Sequence, residues 1–212
     1  SGTSLDGLDI CYAKFQNITK WEFEILKTET IPYSPEWKNR LQNAILLSAE
    51  DLLALDKEYG FYLGEKTQEF ISKNNITDLD FIASHGHTVF HQPQRKFTLQ
   101  IADGRAIKLI TKKPVIYDFR SQDVLMGGNG APLVPIGDEL LFSQYDACLN
   151  LGGFSNISLQ KNHQRIAFDI SPVNVVLNYF AEKLGKNYDE NGDFAKNGAI
   201  NFKILELLNA LT

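Results

Sequence analysis

Cysteine is scarce: Cys11 and Cys148 are the two in 212 residues, each inside an apolar run. A disulfide framework needs more, and a zinc site needs closer spacing, so both read as buried thiols in a reducing compartment. No stretch approaches the ~20 apolar residues of a membrane span, and the first residues lack the basic-then-apolar order of a secretory signal. A membrane partner is therefore not expected, and the expected location is cytoplasmic. Charge of one sign is missing too. The net charge is −5, with acidic and basic residues interspersed and no basic cluster larger than Lys112-Lys113, which argues against a nucleic-acid partner. No Gly-Lys-Ser/Thr follows a glycine loop, and no GxGxxG opens a βαβ unit, so neither a Walker A site nor a dinucleotide fold is supported.

What is present is ordinary globular composition, 43% hydrophobic, 11% aromatic and 22% charged, enough for one large domain or two small ones. Leu8 to Phe15 and Trp21 to Ile25 read as strands joined by a turn at Asn17, the second alternating Trp21, Phe23 and Ile25 with Glu22 and Glu24. Ser34-Pro35 reads as N-cap and first-turn proline, followed by a stripe of Trp37, Leu41, Ala44 and Ile45. Ser48 with Asp51 starts a longer helix to about Asn74, striped by Leu52, Leu55, Tyr59, Leu63 and Phe70. Gly60 and Gly64 lie one turn apart in it and cost ~1 kcal/mol each relative to alanine, so close backbone packing is expected there. A short helix from Arg105 to Thr111 precedes Val115 to Tyr117, expected to be a buried strand.

The second half opens with a strand, Ala147 to Leu151, a tight turn over Gly152-Gly153-Phe154-Ser155-Asn156, strands at Ile157 to Gln160 and Arg165 to Asp169, and a helix starting at Pro172. The first half begins with a similar turn, Gly2-Thr3-Ser4-Leu5-Asp6-Gly7. Two βββα units suggest an α/β fold with two lobes of ribonuclease-H-like topology, 1–122 and 123–212, around a ligand cleft. The chain starts on a loop with no preceding strand. It closes on Ile200, Ile204, Leu207, Leu208 and Leu211 with no stop signal. Both ends lead us to expect a fragment, with the first lobe lacking its first strand and the second lobe incomplete.

Glycines let backbone amides approach an anion, Thr3 and Ser4 add donors, and Asp6 or Asp9 can hold Mg²⁺ directly or through water. On its own, either loop reads first as a plain hairpin turn. Two such loops at equivalent places point instead to one polyphosphate held from both lobes. Asp169, ahead of Ser171-Pro172, fits helix capping near a positive dipole end as well as proton abstraction. His85, His87 and His91 lack acidic or cysteine partners at ligand spacing, so polar substrate contacts are expected rather than zinc. Arg120 suits bidentate binding of a substrate carboxylate, or equally an ion pair with Asp118 or Asp123.

Six segments carry a resemblance: Gly2 to Asp9, Ser84-His85-Gly86-His87-Thr88, Gln100-Ile101-Ala102-Asp103-Gly104, Asp118-Phe119-Arg120 with Asp123, Gly127 to Pro135, and Asn150 to Asn156. In this order the chain, from residue 1 to about Asn201, resembles the anhydro-N-acetylmuramic acid kinase family. The resemblance implies the actin-like ATPase (sugar kinase, Hsp70 and actin) fold, a role in bacterial peptidoglycan recycling, ATP with Mg²⁺, and an anhydro-amino-sugar substrate. It also implies that water opens the 1,6-anhydro bridge while O6 is phosphorylated, and that the family often forms homodimers. Its general base falls on Asp169. Its phosphate contacts fall on Gly2, Thr3, Ser4, Leu5, Asp6, Gly7, Leu8 and Asp9 and on Gly152, Gly153, Ser155 and Asn156. Its substrate contacts fall on His87, Thr88, Arg120, Asp123, Asn129 and Gly130. The chain departs from the pattern at Ser171 and Val173, both glycine in the family, at His87 for a usual glutamine and at Ala102 for a usual glycine. The 212-residue chain alone is expected to lack kinase activity. Competing expectations are a kinase or phosphatase of the same superfamily acting on another sugar acid, and a non-catalytic ATP-binding module.

Overall fold

A computed structural model describes residue 5, residues 7–162 and residues 164–210. Ser1, Gly2, Thr3, Ser4, Asp6, His163, Leu211 and Thr212 lie outside the described residues. The chain forms two compact units, Ser1–Leu141 and Phe142–Thr212.

In the first unit, β1 (Gly7–Asn17) and β2 (Trp21–Pro32) form an antiparallel hairpin with an irregularity between Tyr12 and Ala13. Leu8 is buried and Ile10 and Tyr12 half-buried, as the alternation predicts; Cys11 falls on the other face and is exposed. The expected buried thiol is therefore corrected. Gly7 is glycine because an added Cβ would lie 2.7 Å from the Ile31 carbonyl oxygen across the hairpin.

The caps read in the sequence form. The Ser34 hydroxyl accepts from the Trp37 N–H (3.2 Å) ahead of α1 (Pro35–Gln42). Ser48 accepts from the Asp51 N–H (3.1 Å) and donates to its carboxylate (2.6 Å) ahead of α2 (Ala49–Lys73). Leu8, Tyr33, Leu41, Leu55, Tyr59, Leu63, Ile101 and Ile107 share one core. Inside it the Tyr33 and Tyr59 hydroxyls meet at 2.6 Å, in keeping with the rule that buried polar groups are hydrogen-bonded.

Beyond α2, β3 (Ile82–Ser84) pairs in parallel with β6 (Val115–Tyr117). That strand is less buried than expected, since Ile116 and Tyr117 are exposed. Between them lie an unanticipated hairpin, β4 (His87–Gln92) with β5 (Phe97–Ile101), and α3 (Gly104–Thr111). Gly60 and Gly64 are where α2 meets the start of α3: a Cβ on Gly60 would sit 2.7 Å from the Asp103 carbonyl oxygen, and one on Gly64 3.2 Å from Ile107 Cα. The unit ends with α4 (Ser121–Leu125), a glycine-rich loop and α5 (Val134–Leu141).

The second unit holds an antiparallel sheet in the order β7 (Ala147–Leu151), β8 (Phe154–Lys161), β9 (Gln164–Pro172). The turn is Gly152-Gly153 alone, because Ser155 and Asn156 are already paired with β7 and Phe154 with β9. β9 continues through Pro172, and α6 (Asn174–Lys183) starts after an N-cap at Val173. Proline there is tolerated because β9 is an edge strand. Cys148 is half-buried. α7 (Asp193–Asn197) and α8 (Phe202–Asn209) follow.

Candidate active site

In the second unit, strand register assembles the site. Asn150 lies opposite Asn156, and Asn156 lies opposite Asp169, so three polar side chains share one rung across β7, β8 and β9. The rung exists because of a bulge: Ser155 pairs with Ser171 and Asn156 with Asp169, leaving Ile170 as an extra residue. A bulge of this kind re-aims the side chains beyond it. Asp169 is exposed within β9, four residues before the N-cap, so it caps no helix.

The Gly152-Gly153 turn is tied to the start of α6. The N–H groups of Val173 (2.8 Å) and Val175 (3.3 Å) donate to the Gly153 carbonyl, and that of Asn174 (3.3 Å) to the Gly152 carbonyl. Leading amides of a helix have no partners within it; here the turn supplies them. Because a trans peptide points its N–H opposite to its C=O, the Gly153 N–H points away from α6, where an anion can reach it. Ser155 offers less than expected. It is 3% exposed, its hydroxyl accepts from the Ser171 N–H (3.2 Å) and donates to the Ser171 carbonyl (3.1 Å). Val173, where the family has glycine, sits at φ −129°, outside the left-handed region.

In the first unit, Gly2, Thr3, Ser4 and Asp6 lie outside the described residues. Leu8 is in the core, and exposed Asp9 accepts from the Thr30 hydroxyl at 2.6 Å. His87 and Thr88 belong to β4 rather than to a loop, and His87 is only 5% exposed. No cluster of three or more metal-ligating side chains occurs among the described residues.

Arg120, Asp123 and Gly130 are brought together, and so is His85. Arg120 donates to the Gly130 carbonyl from Nη1 (2.6 Å) and to His85 Nε2 from Nε (3.0 Å) and Nη2 (2.9 Å). Asp123 accepts from the Gly130 N–H (2.6 Å), while Asp118 accepts from the Ser121 N–H (3.2 Å). Of the two readings of Arg120, the ion pair with Asp118 or Asp123 is thus replaced by a pairing with His85 and a backbone carbonyl. Asn129, between them, is exposed.

Asp103 was quoted in the sequence only as part of a motif. Its buried carboxylate binds Lys57 (2.8 Å) and Arg105 (2.6 Å), and the Arg105 bonds first, with Lys57 aiding, hold it well below the usual carboxylate range. Asp103 and Arg105, with Asp56, Gln100, Tyr117, Asp118 and Ser121, line a cavity of about 180 Å³. Asp103 also caps α3, accepting from the Arg105 N–H at 2.9 Å, and the Asp-Gly step was the available signal for that role.

A mixed α/β first unit and a second unit in which a glycine turn leads an antiparallel sheet into a helix are consistent with a kinase of the sugar-kinase, actin-like class. The family model for anhydro-N-acetylmuramic acid kinase matches residues 1–211. The chain belongs to that family. It is 36% identical over 222 residues to the Haemophilus influenzae protein named anhydro-N-acetylmuramic acid kinase, covering 99% of this chain and 57% of that one. With the Bacillus cereus protein of the same name it is 32% identical over 224 residues, covering 97% and 59%. The chain thus spans somewhat under three-fifths of the length of these relatives.

Proposed function

We propose that the protein from which this chain comes is an ATP-dependent sugar kinase that opens the 1,6-anhydro ring of anhydro-N-acetylmuramic acid and phosphorylates O6. The observation that carries this reading is the exposed Asp169 on a bulge-set rung next to a glycine turn whose amide faces away from its helix. Asp169 takes a proton from the water attacking C1, the C1–O6 bond breaks, and the released O6 then attacks the γ-phosphorus of ATP, expelling ADP. General-base help of this kind is worth roughly 10²–10⁴-fold. Among the phosphate contacts, Gly152, Gly153 and Asn156 are proposed for the second unit and the Gly2 to Asp9 loop for the first. Asp9 fits a water-mediated Mg²⁺ contact, being exposed with one oxygen held by Thr30; the metal would screen phosphate charge. His87, Thr88, Arg120, Asp123, Asn129 and Gly130 remain the proposed sugar contacts. Two actin-like lobes, a cytoplasmic location, a part in peptidoglycan recycling and a homodimer complete the proposal. No helix among the described residues is long and apolar enough to cross a membrane.

The test is to incubate the full-length protein with ATP and anhydro-N-acetylmuramic acid and weigh the product. A gain of one water plus one phosphoryl group is expected. Phosphorylation without ring opening, or no turnover, overturns the reading. Transfer to another sugar acid would favour a different kinase of the superfamily, and nucleotide binding without any transfer a non-catalytic module.

A further inference from the structure

We propose that His85, as the neutral ring, is a positioning residue for the Gly127–Gly130 loop, acting through Arg120. The ring's protonation follows from its partners. Nδ1 lies 3.1 Å from the Gly86 carbonyl oxygen, which can only accept, so Nδ1 carries the hydrogen. Nε2 faces Nε and Nη2 of Arg120, and a guanidinium can only donate, so Nε2 is the bare acceptor. Gly86 is itself fixed: it sits at φ +72°, and a Cβ there would fall 2.3 Å from the Ile101 carbonyl oxygen. The imidazole is thus anchored to the start of β4, with its free lone pair aimed at the arginine.

What Arg120 holds is one residue gripped from both sides. The Gly130 carbonyl takes Nη1 of Arg120, and the Gly130 N–H gives to Asp123. Gly130 has no room for a side chain, since a Cβ would lie 2.6 Å from Val124 Cγ2, and Gly128 is pressed against the Asp123 carboxylate. The loop therefore wraps α4 with Asn129 presented outward. Arg120 is the charged group bonded to the ring; the Asp123 and Asp118 carboxylates are instead bonded to the Gly130 and Ser121 N–H groups. A proton on Nε2 removes the acceptor and sets two cations at hydrogen-bond distance, which releases Arg120 and then Gly130. Burial, with Arg120 adding to it, keeps His85 below the ordinary histidine value despite the Gly86 bond, so the grip is intact at neutral pH.

The exchange readout stands alone, while the kinetic readout rests on the kinase reading. Hydrogen exchange of the 127–130 amides in the full-length protein, corrected for intrinsic pH dependence, is followed from about pH 7.5 to about pH 5, spanning the ordinary histidine value. Wild-type protection should fall about tenfold on acidification, the loss expected for one hydrogen bond. His85→Gln keeps an acceptor for Arg120 but cannot titrate, and should stay protected throughout. His85→Leu should be unprotected at every pH and raise KM for the anhydro-sugar more than KM for ATP. Wild-type protection in His85→Leu, or an unchanged acid step in His85→Gln, overturns the proposal. Should His85→Leu not fold, the glutamine variant decides alone. Should wild type not turn over the sugar, the kinase reading falls and exchange still judges His85.

Discussion

Ala102 is the residue at which backbone and side chain disagree most. It sits at φ +117°, a region that a side chain makes costly, by about 1–3 kcal/mol. It stays because its N–H donates to Asp56 at 2.9 Å and its methyl is buried in the core. Ala102→Gly removes the strain and loses ~0.8 kcal/mol of methyl burial. The urea midpoint should therefore rise by about 1 kcal/mol equivalent, with the slope unchanged. Asp169 invites the complementary test. Asp169→Asn in the full-length protein should retain nucleotide binding by calorimetry while turnover drops roughly 10²–10⁴-fold; unchanged slow hydrolysis would remove the base assignment.

Among elements, the crossing of α2 with α3 is the tightest contact that the sequence announced. Gly60→Ala gains helix propensity of ~1 kcal/mol but drives a methyl to 2.7 Å from the Asp103 carbonyl oxygen. Net destabilisation of about 1–3 kcal/mol is expected from thermal melts. Helix starts were legible where the signal is local. Ser34-Pro35 and Ser48 with Asp51 predicted caps, and hydroxyls cap there. Ser171-Pro172 carries the same signature and is strand, because Ser171 is paired with Ser155 across the sheet. Nothing within a few residues distinguishes the two cases; the partner strand does. The β4–β5 hairpin was missed for a related reason. Its turn, Pro93–Arg95 with Lys96 at φ +59°, lacks the glycine that usually marks such a reversal. The alternation of Phe97, Leu99 and Ile101 was the usable clue. Of the candidate site, the Gly152-Gly153 turn and the place of Asp169 in a strand were legible as motif and pattern. The grip of Arg120 on Gly130 was not, since a carbonyl acceptor has no signature in a sequence.

Across the whole molecule, two titrating groups of the first unit set an acid profile. The fold favours neutral His85, whose value is lowered. Its contribution is complete above the unfolded value of about 6.5 and is lost as pH falls below it. The fold favours ionised Asp103, so that contribution is complete above about 3.9 and is lost as pH falls further. Chemical denaturation against pH should show two stages, with His85→Gln removing the upper one and leaving the acid limb. The same residue-by-residue dependence on neighbours governs the sheet of the second unit. There, the extra Ile170 gives the stretch around Asp169 a parity. Cutting one residue from β9 between Arg165 and Phe168 hands the carboxylate to the sheet's opposite side, and cutting two returns it. Deletion scanning of that stretch should thus read out as an odd–even rhythm in turnover.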